Sequence, residues 1–463
     1  MNPLTSQTDS LSLTPPTADT RPHRLPLFQR LRLAGGLKVV LAENHVVPLV
    51  QLHATVPAGA HFDPAGLEGT ASLLASALKE GTLRHGAEHL NEATAELGAD
   101  ILTRADWDMS SVVFELMSSD IPFAVEMLFE MLASPALPHK AVEGLRRRHL
   151  SQLVQQTSAP TEAANDLFAR GIYGETRYGL PLLGSPAGLQ RIDRETLLDF
   201  HRAHFGTPSM VVVVAGSFRP KELLRLIESS VAGCLRGEPP APPAVEPPPL
   251  EQTRVWLTDM PRAAQTEVRI GHVGVPRGHP EFASLQVMSA VLGRRLKRRL
   301  REELGYIYHL RCRFVSRNCA GPFAIAAGVG NEHVGAMVRE VVDEMERLQQ
   351  EPVTEAELGA AQNHLTGVYL RSFQPGHELI AQLKLLAAQN LPDDHFALYL
   401  QSLHDADAAQ VIRLARRYLH PHRLVVAATG PAASLRQQLA RCGDLVEIET
   451  DRTLHTMKGT RPC

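Results

Sequence analysis

The sequence repeats itself at a fixed distance. The helix starts PHKAVE (138–143) and PVTEAE (352–357) lie 214 residues apart, and the same shift carries MVVVVAG, ending at Gly216, onto LVVAATG, ending at Gly430. It also places the segment holding Met127 and Met131 over the one holding Val341 and Met345. Three landmarks in one register imply a duplicated domain, because each copy has to bury the same apolar faces in the same order. The 463 residues are therefore expected to form two like units of ordinary domain size.

The seam between the copies is RGEPPAPPAVEPPPLEQ, residues 236–252. Its prolines lack backbone donors and fix φ, which forbids helix and central strand and favours a stiff, extended spacer. Within each copy, runs such as GLKVVLAE and LVQLHATV alternate or stay apolar over a strand's length, and amphipathic segments come after them. The expectation is an α+β fold made of two homologous halves, each a mostly antiparallel sheet with helices packed on one face. The boundaries read from the sequence are a disordered tail over 1–25, a first domain over 26–235, the linker over 236–252, a second domain over 253–445 and a tail over 446–463.

Charge narrows the partners. A formal net charge of -3 offers no basic field to hold phosphates, so neither nucleic acid nor a membrane surface is expected to bind. The five cysteines (Cys234, Cys312, Cys319, Cys442, Cys463) are scattered and never spaced C-x-x-C, which fits a reducing compartment and argues against a disulfide framework or a thiolate zinc site. The first 25 residues are Ser/Thr/Pro-rich without an apolar run, so no secretory signal is expected. Nor does any apolar run reach the roughly 18 residues of a transmembrane helix, and the expected compartment is the cytoplasm.

One literal motif invites a metal. RHGAEHLNE (84–92) sets His85, Glu88 and His89 in the order H-x-x-E-H, in which two imidazoles on one helix face share a zinc ion and the Glu activates its water. Facing argues against that chemistry here. A helix over 87–97, stopping at Gly98, turns Ala87, Leu90, Thr94 and Leu97 to the core and His85, Glu88, His89 and Glu92 to solvent. Gly86 loosens the turn that would hold the ligands in register, and a third ligand would have to come from Glu162 or Asp166 downstream.

At VPAGAHFDPAGLEGTASLLASALKEGT (56–82) the chain resembles the pitrilysin/insulinase family of inverzincin metallopeptidases. Members of that family carry A-G-x-x-x-(D/E)-P-x-G-x-x-G, a helix with H-x-x-E-H, and then G-T. The lead-in here is Ala58, Gly59, Asp63, Pro64, Gly66 and Gly69, and the closing pair is Gly81 and Thr82. In the second half, RAAQTEVRIGHVGVPRGHPEFASLQVMSAVLG resembles the family's opening strand and helix, LREELGYIY resembles L-R-E-x-x-G-x-x-Y, and AGPFAIAAGV and EPVTEAEL come next in order. The resemblance spans roughly residues 30–435 and implies a clam-shell arrangement of the two halves.

Carried over residue by residue, the family's zinc site is missing. Ser72 stands for the first His, Ala75 for the Glu, Ser76 for the second His and Gln152 for the distal Glu, and none of these is a zinc ligand or a base. No metal is therefore expected on this chain. The resemblance implies that Arg301 grips a substrate carbonyl or carboxylate and that Tyr308 donates to the oxygen that becomes negative. Read alone, Arg301 is a solvated charge beside Glu302 and Glu303, Tyr308 is a half-buried strand aromatic, and Tyr306 competes for the role. VLGRRLKRRL also runs straight from Gly293 to Arg294, without the Gly-rich turn usual in the family.

The resemblance therefore implies a heterodimer. This chain is expected to be the non-catalytic R/Y-type subunit, a homologous partner bearing H-x-x-E-H supplies the zinc, and a peptide binds as an added strand on a sheet edge. One rival is a structural or assembly pseudo-peptidase with no peptidase role. The other is a self-sufficient zinc peptidase built on His85, Glu88 and His89.

Overall fold

The structure, a computed structural model, describes residues 26–448 except 232–233, 235–236, 238–239 and 375–376. The expected tail over 1–25, the part of the C-terminal tail after 448 and part of the linker thus lie outside the described residues. Two six-stranded mixed sheets organise the chain. The first is built from β1 (Gln29–Arg32), β2 (Lys38–Glu43), β3 (Leu49–Val56), β4 (Asp100–Ala105), β5 (Ser110–Met117) and β6 (Val211–Gly216), in the order β1-β2-β6-β3-β5-β4. The second uses β7 (Arg254–Asp259), β8 (Thr266–Val273), β9 (Ile307–Phe314), β10 (Pro322–Val329), β11 (Val425–Gly430) and β12 (Asp444–Ile448), in the order β12-β7-β11-β8-β10-β9.

Without its outermost strand β1 or β12, each sheet takes the same path, so the repeat in the sequence is a repeat of topology. Pairing is antiparallel except between β2 and β6, β7 and β11, and β7 and β12. The last strand corrects the boundary expected at 445. Residues Asp444 to Ile448 pair in register with Arg254 to Thr258, and that ladder satisfies backbone groups beyond the expected edge.

Helices of the first half are α1 (Thr70–Ala77), α2 (Ala87–Glu96), α3 (Ile121–Ala133), α4 (His139–Ser158), α5 (Pro160–Tyr173), α6 (Pro186–Arg191), α7 (Arg194–His204) and α8 (Pro220–Ser230). The second half continues with α9 (Phe282–Lys297), α10 (Val334–Gln350), α11 (Glu355–Arg371) and α12 (His377–Ala388). The closing strands β6 and β11 keep the 214-residue shift, whereas α4 and α11 start two residues out of it. Thr354, in a capping box with Glu357, sets the second start in place of Pro352.

The sheets are not covered on one face only. A lone half would leave Val40, Val211 and Val213 in water, and α12 of the other half buries them under Leu379, Ile380, Leu383 and Leu386. In return α5 lies on β8 and β11, so close that a Cβ on Gly171 would come within 2.5 Å of Val425. This exchange explains why VVVVAG and VVAATG are buried along nearly their whole length: both sheet faces are covered there. Each large side chain so buried contributes about 1.5–3 kcal/mol.

The described part of the linker is extended and docked. The ring of His61 lies 2.8 Å from the Pro243 carbonyl through Nε2, and Val245 and Leu250 pack into the cluster of Tyr173 and Trp256 between the halves. Among the described residues no helix is long and apolar enough to cross a membrane.

Candidate functional site

The glycine-rich lead-in has a structural task of its own. Asp63 is buried and accepts from the backbone N–H of Gly69 at 2.7 Å and of Ala71 at 2.8 Å, which fastens the first turn of α1. Gly69 has φ +105°, and a Cβ there would lie 2.5 Å from the Leu183 carbonyl. These residues therefore position α1 whether or not it carries metal ligands.

Three of the four positions aligned with the family's zinc site meet at one cleft. Ser72 donates to the Leu182 carbonyl at 2.7 Å, and Ser76 donates to the Ser72 carbonyl at 3.0 Å. Ala75 is buried on the core side of α1, and Gln152 is exposed on α4. Ser72, Ser76 and Gln152 line a cleft of about 390 Å³ together with His149, Lys79, Arg104 and Arg148. The set does not fit zinc: its hydroxyls are committed to backbone carbonyls, and it holds one imidazole. Among the described residues no group of three or more His, Cys, Asp or Glu side chains is placed to hold a metal.

His149 carries no signal of this role in the sequence taken alone. Its Nε2 lies 3.1 Å from Ser76 Oγ, and its Nδ1 is buried without a partner. The available clue is helical spacing, since a residue three before Gln152 on α4 shares its face. Burial lowers the pKa of His149 from 6.5 to about 4, and burial does the same to His204 and His272. The folded chain then resists protonation until about pH 4, whereas the unfolded chain takes protons near 6.5. The stability that depends on these three rings staying neutral is therefore complete above about pH 6.5 and is lost as pH falls towards about 4, while Asp63 and Asp166, whose pKa burial raises to about 7, act in the opposite sense over the same range. Thermal melts should show the Tm of the native sequence falling by a few degrees relative to that of His149→Gln between about pH 7 and about pH 4.5, because the variant lacks that ring and shares the other groups.

The literal motif lies elsewhere, and its first histidine corrects the expected facing. α2 begins at Ala87 behind Gly86, with Leu90 and Thr94 buried and Glu88, His89 and Glu92 exposed. His85 precedes the helix and turns inward. The Thr82 hydroxyl accepts from the His85 N–H at 2.9 Å, and His85 Nδ1 comes within 3.3 Å of the buried Glu130 carboxylate of α3. The ring then stacks on His89 with centroids 4.9 Å apart. Glu162 and Asp166 lie on α5, the helix that packs on the second sheet.

At the corresponding edge of the second sheet stand Arg301 and Tyr308. α9 continues into a wide π-helical turn, Arg298–Glu303, with no break where the family carries its Gly-rich turn. Arg299 in that turn is held by Glu340 at 2.9 Å and Glu303 at 3.0 Å, while Arg301 is exposed and makes no hydrogen bond or ion pair among the described residues. The pairing with Glu302 or Glu303 considered from the sequence does not form. Tyr308 lies on the edge strand β9, 64% exposed, with its hydroxyl unengaged among the described residues. Tyr306 is half-buried with its ring stacked on His333 at 4.3 Å, whereas the Tyr308 ring is open to solvent.

Two family models match the chain in succession, and they meet inside the first half rather than at the linker. Residues 38–185 match the family model Insulinase (Peptidase family M16), and residues 191–365 match Peptidase M16 inactive domain. An uncharacterized zinc protease of Streptomyces coelicolor is 23% identical over 354 residues, 74% of this chain and 77% of that protein. The mitochondrial-processing peptidase subunit beta of Mus musculus is 24% identical over 428 residues, 89% of this chain and 86% of that protein. In fold, the chain is similar to the crystal structure of a peptidase M16 inactive domain from Pseudomonas fluorescens. The TM-score is 0.80 at 22% identity, covering 87% of this chain and 98% of that one.

Proposed function

The chain belongs to the M16, insulinase-like peptidase family, and from that premise we propose that it is the non-catalytic subunit of a heterodimeric zinc peptidase. In this reading Arg301 and Tyr308 contribute peptide binding and transition-state stabilisation to a homologous partner that bears H-x-x-E-H. One contrast carries it. The first half presents Ser72, Ala75, Ser76 and Gln152 where metal donors belong, while the second presents Arg301 and Tyr308 exposed with their donors uncommitted among the described residues. A guanidinium offers a planar fork to a carbonyl or carboxylate, and a phenol donates one hydrogen bond to an oxygen gaining negative charge. The partner's zinc supplies the hydrolytic water. The peptide adds as a strand to a free sheet edge, held by backbone hydrogen bonds that ask little of its sequence. The cytoplasm suits the four free cysteines among the described residues.

The test is reconstitution with the H-x-x-E-H homologue encoded by the same genome. A fluorogenic peptide should be cleaved by the mixture and by neither chain alone, with the two chains comigrating in gel filtration. Elemental mass spectrometry of this chain, purified without a His tag, should find far less than one zinc per chain. Stoichiometric zinc lost in His85→Ala or His89→Ala would sink the reading in favour of a self-sufficient peptidase. An architectural role is the other alternative, favoured by the unbroken run of α9 into its π turn. A partner fully active without this chain would decide for it.

A further inference from the structure

Loss of the zinc ligands leaves a charge imbalance in the first-half cleft. Lys79, Arg104 and Arg148 line it, and the carboxylate lining it belongs to Glu80. Elsewhere arginines are paired: Arg146, on the same helix α4, bonds Glu143, and Arg177 holds Glu68 at 2.9 Å. Lys79, Arg104 and Arg148 make no hydrogen bond or ion pair among the described residues, and all three are exposed. The other polar groups at the cleft, Ser72, Ser76 and Gln152, carry no charge to balance them.

The cleft is bounded by β4, which pairs with β5 and leaves its other edge free among the described residues. Leu102 and Arg104 alternate on the same exposed side of that strand, and both line the cleft. A strand added along this edge places two of its own side chains, two residues apart, beside Leu102 and Arg104. We propose that the vestigial zinc cleft is a selective subsite for an acidic peptide segment, in which a carboxylate meets Arg104, Arg148 and Lys79 while an apolar side chain two residues away covers Leu102. The inference rests on the strand-addition reading of the peptide and adds to it the substrate's charge and spacing. A metal-binding cleft reads the scissile carbonyl; this one reads a side chain.

The test uses the full chain and fluorescein-labelled, amidated twelve-residue peptides whose centre is Ala-Glu-Ala-Leu-Ala, with Gln or Lys replacing the Glu in two controls. Fluorescence anisotropy should rank them Glu, Gln, Lys in falling affinity. The gap from Glu to Gln should be about three- to tenfold, the size that two or three partly solvated ion pairs supply. It should shrink in about 0.5 M NaCl. Arg104→Gln with Arg148→Gln should remove most of the gap, leaving the part due to Lys79, and should leave the Gln peptide's affinity unchanged. Both side chains are exposed and unpaired, so the variant is expected to fold, and Lys79→Gln gives an independent partial loss. Equal affinity for the Glu and Gln peptides, or a gap undiminished in the double variant, overturns the inference while leaving strand addition standing. Failure of all three peptides to bind removes both.

Discussion

Tyr308→Phe, assayed in the reconstituted complex, is expected to lower kcat about a hundred- to a thousand-fold, the usual cost of removing one oxyanion donor. Assembly and Tm should hardly change, because the hydroxyl touches nothing among the described residues of the free chain and the ring is 64% exposed. Arg301→Gln should act on the same step, and the double variant should lose less than the product of the two if, as proposed, both side chains address one developing charge. Tyr306→Phe is the internal control. Its ring is held against His333 and should tolerate loss of the hydroxyl. Steady-state kinetics on a single fluorogenic peptide reads all four. A loss of no more than about threefold for Tyr308→Phe would assign this edge to assembly rather than to chemistry.

Arg269→Met should be the most damaging substitution for stability. Arg269 and Glu267 are 5% and 3% exposed, and their side chains meet at 3.0 Å. Arg269 also donates to Asn165 Oδ1 at 2.8 Å and to the Thr161 carbonyl at 3.4 Å, both on α5 of the other half. Removing the guanidinium leaves the buried carboxylate with only Gln265 at 3.1 Å and His309 at 3.8 Å and unpicks the seam at once, which should cost about 3–5 kcal/mol in urea denaturation. Arg269→Met with Glu267→Leu should recover much of that loss, because the desolvated charge is then gone as well. A cost below about 1 kcal/mol for the single change would mean that water reaches the pair.

Much of this molecule is legible because it is periodic or locally constrained. Repeated apolar runs locate β6 and β11, and Leu90 and Thr94 mark the buried face of α2. Facing cannot be extended past the helix end. His85 belongs to a turn closed by Thr82, and its contact with Glu130 depends on where α3 runs, 45 residues away. His149 is silent in the sequence because its interest comes from Ser76, on another helix, and a distant hydroxyl leaves no local pattern. Nor does any periodicity show which ring of Tyr306 and Tyr308 is covered; a neighbour at the start of α10 decides it.

By itself, then, the sequence determined two like halves, a proline-rich seam, the absence of zinc donors at 72, 75, 76 and 152, and the presence of Arg301 and Tyr308. Each of those is a matter of residue type or spacing along the chain. Only the tertiary structure decided that α5 and α12 are exchanged between the halves, that the linker is docked, and that Lys79, Arg104 and Arg148 gather around one cleft against the single carboxylate of Glu80. Those features depend on which surfaces meet, and a meeting between residues hundreds of positions apart is set by the packing of whole sheets rather than by any local preference of the chain.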